Sequence, residues 1–183
     1  MQCLSCPVIP VVSKSIKLII WKLPEKGRFK LNVDGGSCGN PGESGWGGII
    51  QNHKGLVEAG FAHSYGQATN TVAKCRALLD GLQLCKQLGL RDILVESDST
   101  VIVGWLASRI CRYWFLWDFW EEDRELGSEL HVQFHHIFRE ANMVADFLAK
   151  QGTQGMNFEF CGANSIQGPI RGFIRIDKLS ILS

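Results

Sequence analysis

Residues 29–42, FKLNVDGGSCGNPG, join a strand pattern to a glycine-rich stretch, and they decide the fold class that the sequence predicts. Phe29, Leu31 and Val33 alternate with polar residues, as the two faces of a half-buried β-strand require. The glycines and Pro41 that follow are typical of a turn. We therefore predict that the first strand ends at Val33 and that Asp34 lies at its end.

The rest of the chain predicts an alternation of strands and helices. Polar residues 53–55 favour a hairpin between the second and third strands. Gly89 is the expected stop of a long first helix, and the run at 91–97 is the expected parallel strand reached by a crossover. The predicted elements are strands at 29–33, 46–52, 56–64, 91–97 and 131–138 and helices at 72–88, 100–107, 113–126 and 141–151. The order βββαβααβα predicts an α/β fold.

Length and composition favour one domain with short additions. The chain has 183 residues, of which 45% are hydrophobic and 20% are charged. We expect an N-terminal extension at 1–19, a domain at 20–152 and a loosely attached tail at 153–183. Nineteen basic and 18 acidic residues give a net charge of +1, so a nucleic-acid partner must be bound by local charges.

The sequence also bounds the compartment. Its apolar runs are far shorter than the roughly 20 residues that span a bilayer, so we expect no membrane partner. Residues 1–13 lack a basic leading region, and the seven cysteines are an odd number. Both features favour an intracellular protein, in nucleus or cytoplasm, whose thiols are reduced. Cys3 and Cys6 form a CxxC without the second pair that a structural zinc site needs.

Three aspartates are candidates for a shared site. Asp98 follows the predicted fourth strand, and Asp146 lies one helical turn after Asn142. If the first and fourth strands are neighbours, Asp34 and Asp98 meet at one edge of the sheet. Grouped carboxylates repel one another unless a cation lies between them, and oxygen ligands are what magnesium prefers. Spacing alone leaves open that all three are helix caps and solvated turn residues.

Four segments in order resemble the signature blocks of the ribonuclease H type 1 family: KLNVDGG with GNPG, TNTVAKCRALLDGL, VESDS and FREANMVADFLAK. The resemblance is closest to ribonuclease H-like domains of plants, including those related to retrotransposons. It covers about residues 20–152, and 169–178 also resemble the end of those plant proteins. It implies a mixed five-stranded sheet, three antiparallel strands followed by parallel strands, with helices on both faces. We expect a monomer.

The resemblance also implies endonucleolytic hydrolysis of the RNA strand of RNA–DNA hybrids by two magnesium ions, with manganese as a substitute. The metal ligands of the family map to Asp34, Asp98 and Asp146, but the expected helix glutamate is Lys74. The 3,4,7 spacing of Lys74, Ala77, Leu78 and Gly81 predicts that Lys74 faces inward. Its ammonium could then occupy the space of one metal ion.

Three interpretations of Lys74 remain open at the level of sequence. The chain is a degenerate enzyme that keeps the fold and hybrid binding but lacks magnesium catalysis, or Glu96 supplies the missing carboxylate from the face of the fourth strand that it shares with Asp98. The third interpretation is that Lys74 reflects a point change or a sequence error in one copy, because Glu and Lys codons differ by a single base. A different class of function is a non-catalytic module that binds hybrid or a protein partner.

The resemblance places the substrate contacts as well. Small and amide side chains can read the minor groove of a hybrid, and the candidates are Gly35, Gly36, Ser37, Asn40, Asn70, Arg139 and Asn142. Their alternative roles are turn geometry, helix capping and surface charge. His136 is a candidate for assisting product release, although it lies in a predicted strand.

The tryptophan-rich segment that begins at Trp105 carries no clear nucleic-acid handle. Trp114, Trp117 and Trp120 recur at three-residue steps, which predicts a buried helix face, with base stacking as the alternative. Arg109 and Arg112 are the basic residues before the acidic Glu121, Glu122 and Asp123, so the basic helix of some bacterial relatives is missing.

Overall fold

The structure is a computed structural model that describes residues 21–108, 110–111, 113–162, 166 and 168–180. A six-stranded sheet lies at its centre, in the order β5-β4-β1-β2-β3-β6. Strand β1 is parallel to β4 and β4 to β5, whereas the other neighbouring pairs are antiparallel. The strands are β1 (Phe29–Gly39), β2 (Gly42–Asn52), β3 (Val57–Ala68), β4 (Ile93–Ser97), β5 (Gln133–His136) and β6 (Phe158–Cys161). The predicted α/β fold with a mixed sheet is confirmed, with six strands rather than five.

Five helices cover the sheet. They are α1 (Asn70–Gln87), α2 (Thr100–Ser108), α3 (Trp117–Glu129), α4 (Met143–Thr153) and α5 (Gly168–Ser180). Helix α1 begins after Thr69, whose hydroxyl accepts a hydrogen bond from the Val72 amide. It ends before Gly89, which has a φ of +67° and is the stop that the sequence predicted. None of the described helices is long and apolar enough to cross a membrane.

Strand β1 is longer than predicted. It continues through the glycine-rich stretch to Gly39, because each residue from Asp34 to Gly39 pairs with a residue of β2. Asp34 therefore lies within a strand and not at its end. Several glycines here are places where a helix approaches the sheet: a Cβ on Gly45 would lie 2.0 Å from the Thr153 amide nitrogen in α4. Of the glycines that suggested a turn, Gly35 serves helix packing, whereas Gly39, with a φ of +93°, and Gly42 flank the turn at residues 40–41 that joins β1 to β2.

The two faces of the sheet bury separate apolar clusters. Ile50 and Phe61 face the cluster that contains α1, α2 and α3, while the adjacent Ile49 and Ala62 face the cluster that contains α4 and α5. Adjacent residues of a strand point to opposite faces, so two clusters follow from one sheet. Helices on both faces are therefore confirmed.

The segment after Gly152 is not a loose tail. Strand β6 pairs with β3, and Phe160, Ile170 and Ile174 are buried against the α4 face of the sheet. The expectation of a loosely attached tail is wrong for these described residues, because a short strand and one amphipathic helix complete an apolar face that would otherwise be exposed. The expected extension at 1–19 lies outside the described residues.

The buried helix face predicted for Trp114, Trp117 and Trp120 is not found. Trp114 and Trp117 are 82% and 54% exposed, and only Trp120 is partly buried against the core. Leu116 and Leu126 fill the inward face instead. The chain from Trp114 to Leu116 forms a separate 3-10 turn, so the three-residue steps do not continue along one α-helix.

Candidate functional site

Three elements bring Asp34, Lys74 and Asp98 together. Asn32 of β1 is paired with Glu96 of β4, so Asp34 and Asp98, two residues further along, lie side by side. Helix α1 crosses β1 so closely that a Cβ on Gly35 would lie 2.4 Å from the Ala73 carbonyl carbon. Only glycine permits this approach, and it sets Lys74 directly over the two carboxylates.

The Lys74 ammonium donates hydrogen bonds to Oδ1 of Asp34 and to Oδ1 of Asp98. The side chains of Lys74, Asp34 and Asp98 are only 20%, 7% and 17% exposed. Burial disfavours the charge of the ammonium, but the two carboxylates outweigh burial and raise the pKa of Lys74 above its usual value. Lys74 is therefore a permanent cation at neutral pH that joins β1, α1 and the end of β4.

Asp146, from α4, faces the same cleft with different partners. Arg139 donates to its Oδ1, with Nε at 3.2 Å, and Lys150 donates to its Oδ2. Burial acts to raise the pKa of Asp146, but the hydrogen bonds from Lys150 and Arg139 lower it overall. Each of the three carboxylates thus already has a cationic partner.

The cleft between these groups has a volume of about 390 Å³. Ser37 and Asn70 form its far wall, where the Ser37 amide donates to Oδ1 of Asn70 at 2.8 Å. The backbone N–H of Asn70 in turn donates to Oδ1 of Asn40 at 3.1 Å. The lining residues are Asp34, Gly35, Gly36, Ser37, Cys38, Asn70, Lys74, Asp98, Arg139, Asp146, Ala149, Lys150 and Thr153. The cleft therefore collects most of the residues that the sequence predicted for the site.

Comparisons with known proteins identify the family of this chain. The model of a family described as reverse transcriptase-like matches residues 32–152. A ribonuclease H of Chlorobium phaeovibrioides is 30% identical over 60% of this chain and 82% of its own length. The chain belongs to the ribonuclease H family. A protein of Arabidopsis thaliana that carries the ribonuclease H name is 31% identical over 73% of this chain and 22% of its own length.

A solved ribonuclease H1, LC11, in complex with an RNA/DNA hybrid superimposes with a TM-score of 0.65 at 28% identity. The match covers 69% of this chain and 97% of LC11. Several other curated relatives are much longer, and the chain spans 22–34% of their length. The similarity to these longer relatives is therefore limited to one part of their length.

Two predicted substrate contacts, Asn40 and Asn142, do not line the cleft of this ribonuclease H domain, and Asn142 is the one in the interior. It is buried at 1% exposure, and its Nδ2 donates to the Val33 carbonyl at 3.0 Å. Its Oδ1 accepts from Nδ2 of Asn32 at 3.2 Å. Because both ends of the amide are engaged in the interior, we assign Asn142 the role of fixing α4 to β1.

Glu96 is not free to replace the missing glutamate of the ribonuclease H site. Its carboxylate accepts hydrogen bonds from Nζ of Lys30 at 2.7 Å and Nδ2 of Asn32 at 3.1 Å. Lys30 is 1% exposed and Glu96 is 7% exposed. A buried pair of this kind is costly to break, so Glu96 has a structural role.

The buried network of Lys30, Asn32 and Asn142 was not predicted from the sequence. The signal was present in the predicted topology. A central strand flanked by strands on both sides, with helices on both faces, buries its polar alternate positions as well as its apolar ones. Lys30 and Asn32 therefore needed partners, and Glu96 on the neighbouring strand was the nearest candidate.

His136 lies at the end of β5, beside the site but exposed. Its Nε2 is 3.2 Å from the backbone carbonyl oxygen of Asp98. It does not line the cleft. A role for His136 in product release remains a prediction.

The residues of this domain do not fit two magnesium ions. Among the described residues, no group of three or more Asp, Glu, His or Cys side chains is arranged to hold a metal ion. The Lys74 ammonium takes up the oxygens of Asp34 and Asp98 that would face a metal. The donor set thus supports cation pairing rather than metal ligation.

Proposed function

We propose that this chain is a ribonuclease H domain that binds RNA–DNA hybrids. In this domain the Lys74 ammonium takes the place of the catalytic metal ions, so metal-dependent catalysis is lost. The observation that supports this proposal is the contact of one ammonium with both Asp34 and Asp98. Hybrid as the ligand is supported by the likeness to LC11 ribonuclease H1, which was solved with an RNA/DNA hybrid.

The relative strengths of the ion pairs single out Lys74. The partners of Lys74 are at most 17% exposed, and removing one partner of such a buried pair costs about 3–5 kcal/mol because the other charge is left uncompensated. The partners of Asp146 are different, because the side chains of Arg139 and Lys150 are 65% and 60% exposed. Exposed pairs contribute about 0–1 kcal/mol, so a competing phosphate can separate them. Lys74 therefore holds its carboxylates, while Arg139 and Lys150 remain available to a ligand.

The cleft offers suitable contacts for a hybrid. Arg139 and Lys150 supply positive charge for backbone phosphates. Ser37 and Asn70 supply hydroxyl and amide groups along one wall, with Asn40 hydrogen-bonded behind Asn70, and such groups suit phosphate and 2′-hydroxyl groups. These contacts need no bound metal, so binding is expected to be independent of magnesium.

The test is to measure hybrid binding and hybrid cleavage on the same samples. A labelled RNA–DNA hybrid is titrated with the natural chain and with Lys74→Glu, in magnesium, in manganese and in EDTA. Lys86→Glu is the matched control, because Lys86 lies on the same helix but pairs with Glu129 at the surface. We expect the natural chain and Lys86→Glu to bind equally in magnesium and EDTA without cutting, and Lys74→Glu to cut in magnesium or manganese.

Cleavage by the natural chain at the rate of Lys74→Glu would overturn the loss of catalysis. Absence of hybrid binding would overturn the proposal that an RNA–DNA hybrid is the ligand. In that case the second candidate function, a non-catalytic protein-interaction module, is favoured by the exposed aromatic side chains around Trp114.

A further inference from the structure

Four aromatic side chains form an exposed ridge between α2 and α3. The aromatic ridge consists of Tyr113, Trp114, Phe115 and Trp117, whose exposures are 49%, 82%, 50% and 54%. The ring centroids of Tyr113 and Phe115 are 5.7 Å apart, and those of Trp114 and Phe115 are 6.1 Å apart. Contiguous apolar surface of this kind on a folded domain marks an interaction site.

The core does not require the ridge. Leu116, within the ridge segment, is fully buried, and Leu126 fills the inward face of α3. Trp105 packs partly against the core and supports Tyr113, with a centroid distance of 5.2 Å. The ridge is therefore held in place from below while its outer rings remain in water.

The charges beside the ridge are acidic. Asp118, Glu121 and Glu125 are exposed on α3, and none of them has an ion pair within the described part of the chain. Residues 100–129 contain three arginines and six acidic residues. A phosphate backbone is repelled by such a surface, whereas lysine and arginine side chains are attracted.

Helix α3 links the ridge to a groove. Trp117, Glu121 and Glu125 lie four residues apart, so they share one face of the helix. Glu125 and Arg124 both line a groove of about 530 Å³ between α2, α3 and β5, whose apolar walls include Leu106, Val132 and Phe134. An aromatic ridge, an acidic stripe and a partly apolar groove thus follow one another along α3.

We propose that this surface docks a basic amphipathic helix of a partner protein. The apolar face of that helix would lie on the aromatic ridge and in the groove, and its lysines and arginines would pair with Asp118, Glu121 and Glu125. Helix-in-groove recognition uses this combination of apolar anchors and charged rim, and tryptophan and tyrosine are the residues on which such affinity most often depends. The site is separate from the cleft that contains Lys74.

The probe is a synthetic leucine–lysine amphipathic peptide with a fluorescent label, followed by anisotropy. A leucine–glutamate peptide of the same length is the charge control. We expect the leucine–lysine peptide to bind the natural chain, and the double variant Trp114→Ala, Trp117→Ala to bind more than about tenfold more weakly. The variant Glu121→Gln, Glu125→Gln should bind several-fold more weakly and lose part of the salt dependence.

Lys150→Gln, in the cleft, is the control that should leave peptide affinity unchanged. Because the substituted tryptophans are exposed, their variants should retain the melting temperature of the natural chain, and the two glutamate substitutions give an independent measurement if they do not. The proposal is overturned if the leucine–lysine peptide does not bind, if the leucine–glutamate peptide binds equally, or if the double variant Trp114→Ala, Trp117→Ala binds the peptide with unchanged affinity. It is also overturned if sedimentation shows that the ridge joins two copies of this chain.

Discussion

Lys74 differs from the other charged residues of the cleft in how little water reaches its ion pairs. Its side chain is 20% exposed and its two partners are more buried still. Removing one partner of a buried ion pair costs about 3–5 kcal/mol, because the other charge is left without compensation. We therefore expect this one residue to set both the local stability and the metal affinity of the cleft.

Lys74→Glu is expected to melt at a lower temperature than the natural chain in EDTA, because it places a third negative charge beside Asp34 and Asp98. Magnesium should reverse this loss, since a ligand at about 100 times its Kd stabilises the folded state by about 2.7 kcal/mol. Thermal unfolding with and without magnesium measures the effect. The natural chain and Lys86→Glu should show no such gain; an equal gain in the natural chain would contradict the displacement of metal by Lys74.

His63 gives a pH-dependent contribution at a distance from the cleft. Its Nδ1 lies 2.7 Å from Oδ2 of Asp80, which also accepts a hydrogen bond from Nε1 of Trp46 at 2.6 Å. The hydrogen bond with Asp80 raises the pKa of His63 above 6.5, against the opposing effect of burial. A nearby carboxylate, Glu159, adds to the shift.

Because the pKa of His63 is higher in the folded state, its stabilisation is fully present below pH 6.5 and is lost as the pH rises through the folded value. We expect the difference in free energy of unfolding between the natural chain and His63→Gln to be largest near about pH 6 and to shrink toward about pH 9. Urea unfolding of both chains across this range tests it. A difference that grows with pH would show that the imidazole is neutral in the folded protein.

At the scale of elements, α5 completes the second apolar cluster. Ile170 is 1% exposed and packs with residues of β2, α4 and β6. Helices of this length are marginal in isolation, so α5 depends on this packing. The helix in turn packs against α4 and adds Ile170 and Ile174 to the cluster on that face of the sheet.

Ile170→Ala should therefore destabilise the whole domain by about 2–5 kcal/mol, the range for removing a large aliphatic side chain from a core. Ile110→Ala is the matched control, because Ile110 is 58% exposed and its truncation should change stability by less than about 0.5 kcal/mol. Denaturant unfolding measures both variants. Equal stability of Ile170→Ala and the natural chain would mean that α5 is not part of the cooperative unit.

At the scale of the whole molecule, charge is nearly balanced, with a net charge of +1. If the chain binds a hybrid as proposed, we expect that binding to depend on the few cations that line the cleft and not on the overall field of the protein. Binding to phosphates releases counterions, so affinity falls as the salt concentration rises. The slope of log affinity against log salt concentration is proportional to the number of phosphate contacts.

Lys150→Gln should reduce the slope of log affinity against log salt concentration by nearly one, because it removes one phosphate contact. Lys54→Gln is the control, since Lys54 is exposed in the turn between β2 and β3, outside the cleft. Titrations of the hybrid at several salt concentrations give both slopes. The same reduction in Lys54→Gln would mean that the hybrid lies elsewhere on the surface.

The order of elements was predictable because it depends on local periodicity and on stop signals such as Gly89. The close approach of α1 to β1 was not predictable, since it depends on which glycines of the sheet lie directly beneath a helix. The same limit explains Trp114 and Trp117, whose spacing is compatible with a buried face until a 3-10 turn interrupts the helix.

The sequence by itself determined the α/β fold, the four signature segments and the lysine at position 74, because each of these is a property of residue type and spacing along the chain. Only the tertiary structure decided that Lys74 joins Asp34 to Asp98, that Glu96 belongs to Lys30, and that Asn142 belongs to the interior. The physical reason is that a charge or an amide takes its role from the partners it meets and from the water it loses, and both depend on elements that lie far apart in the sequence.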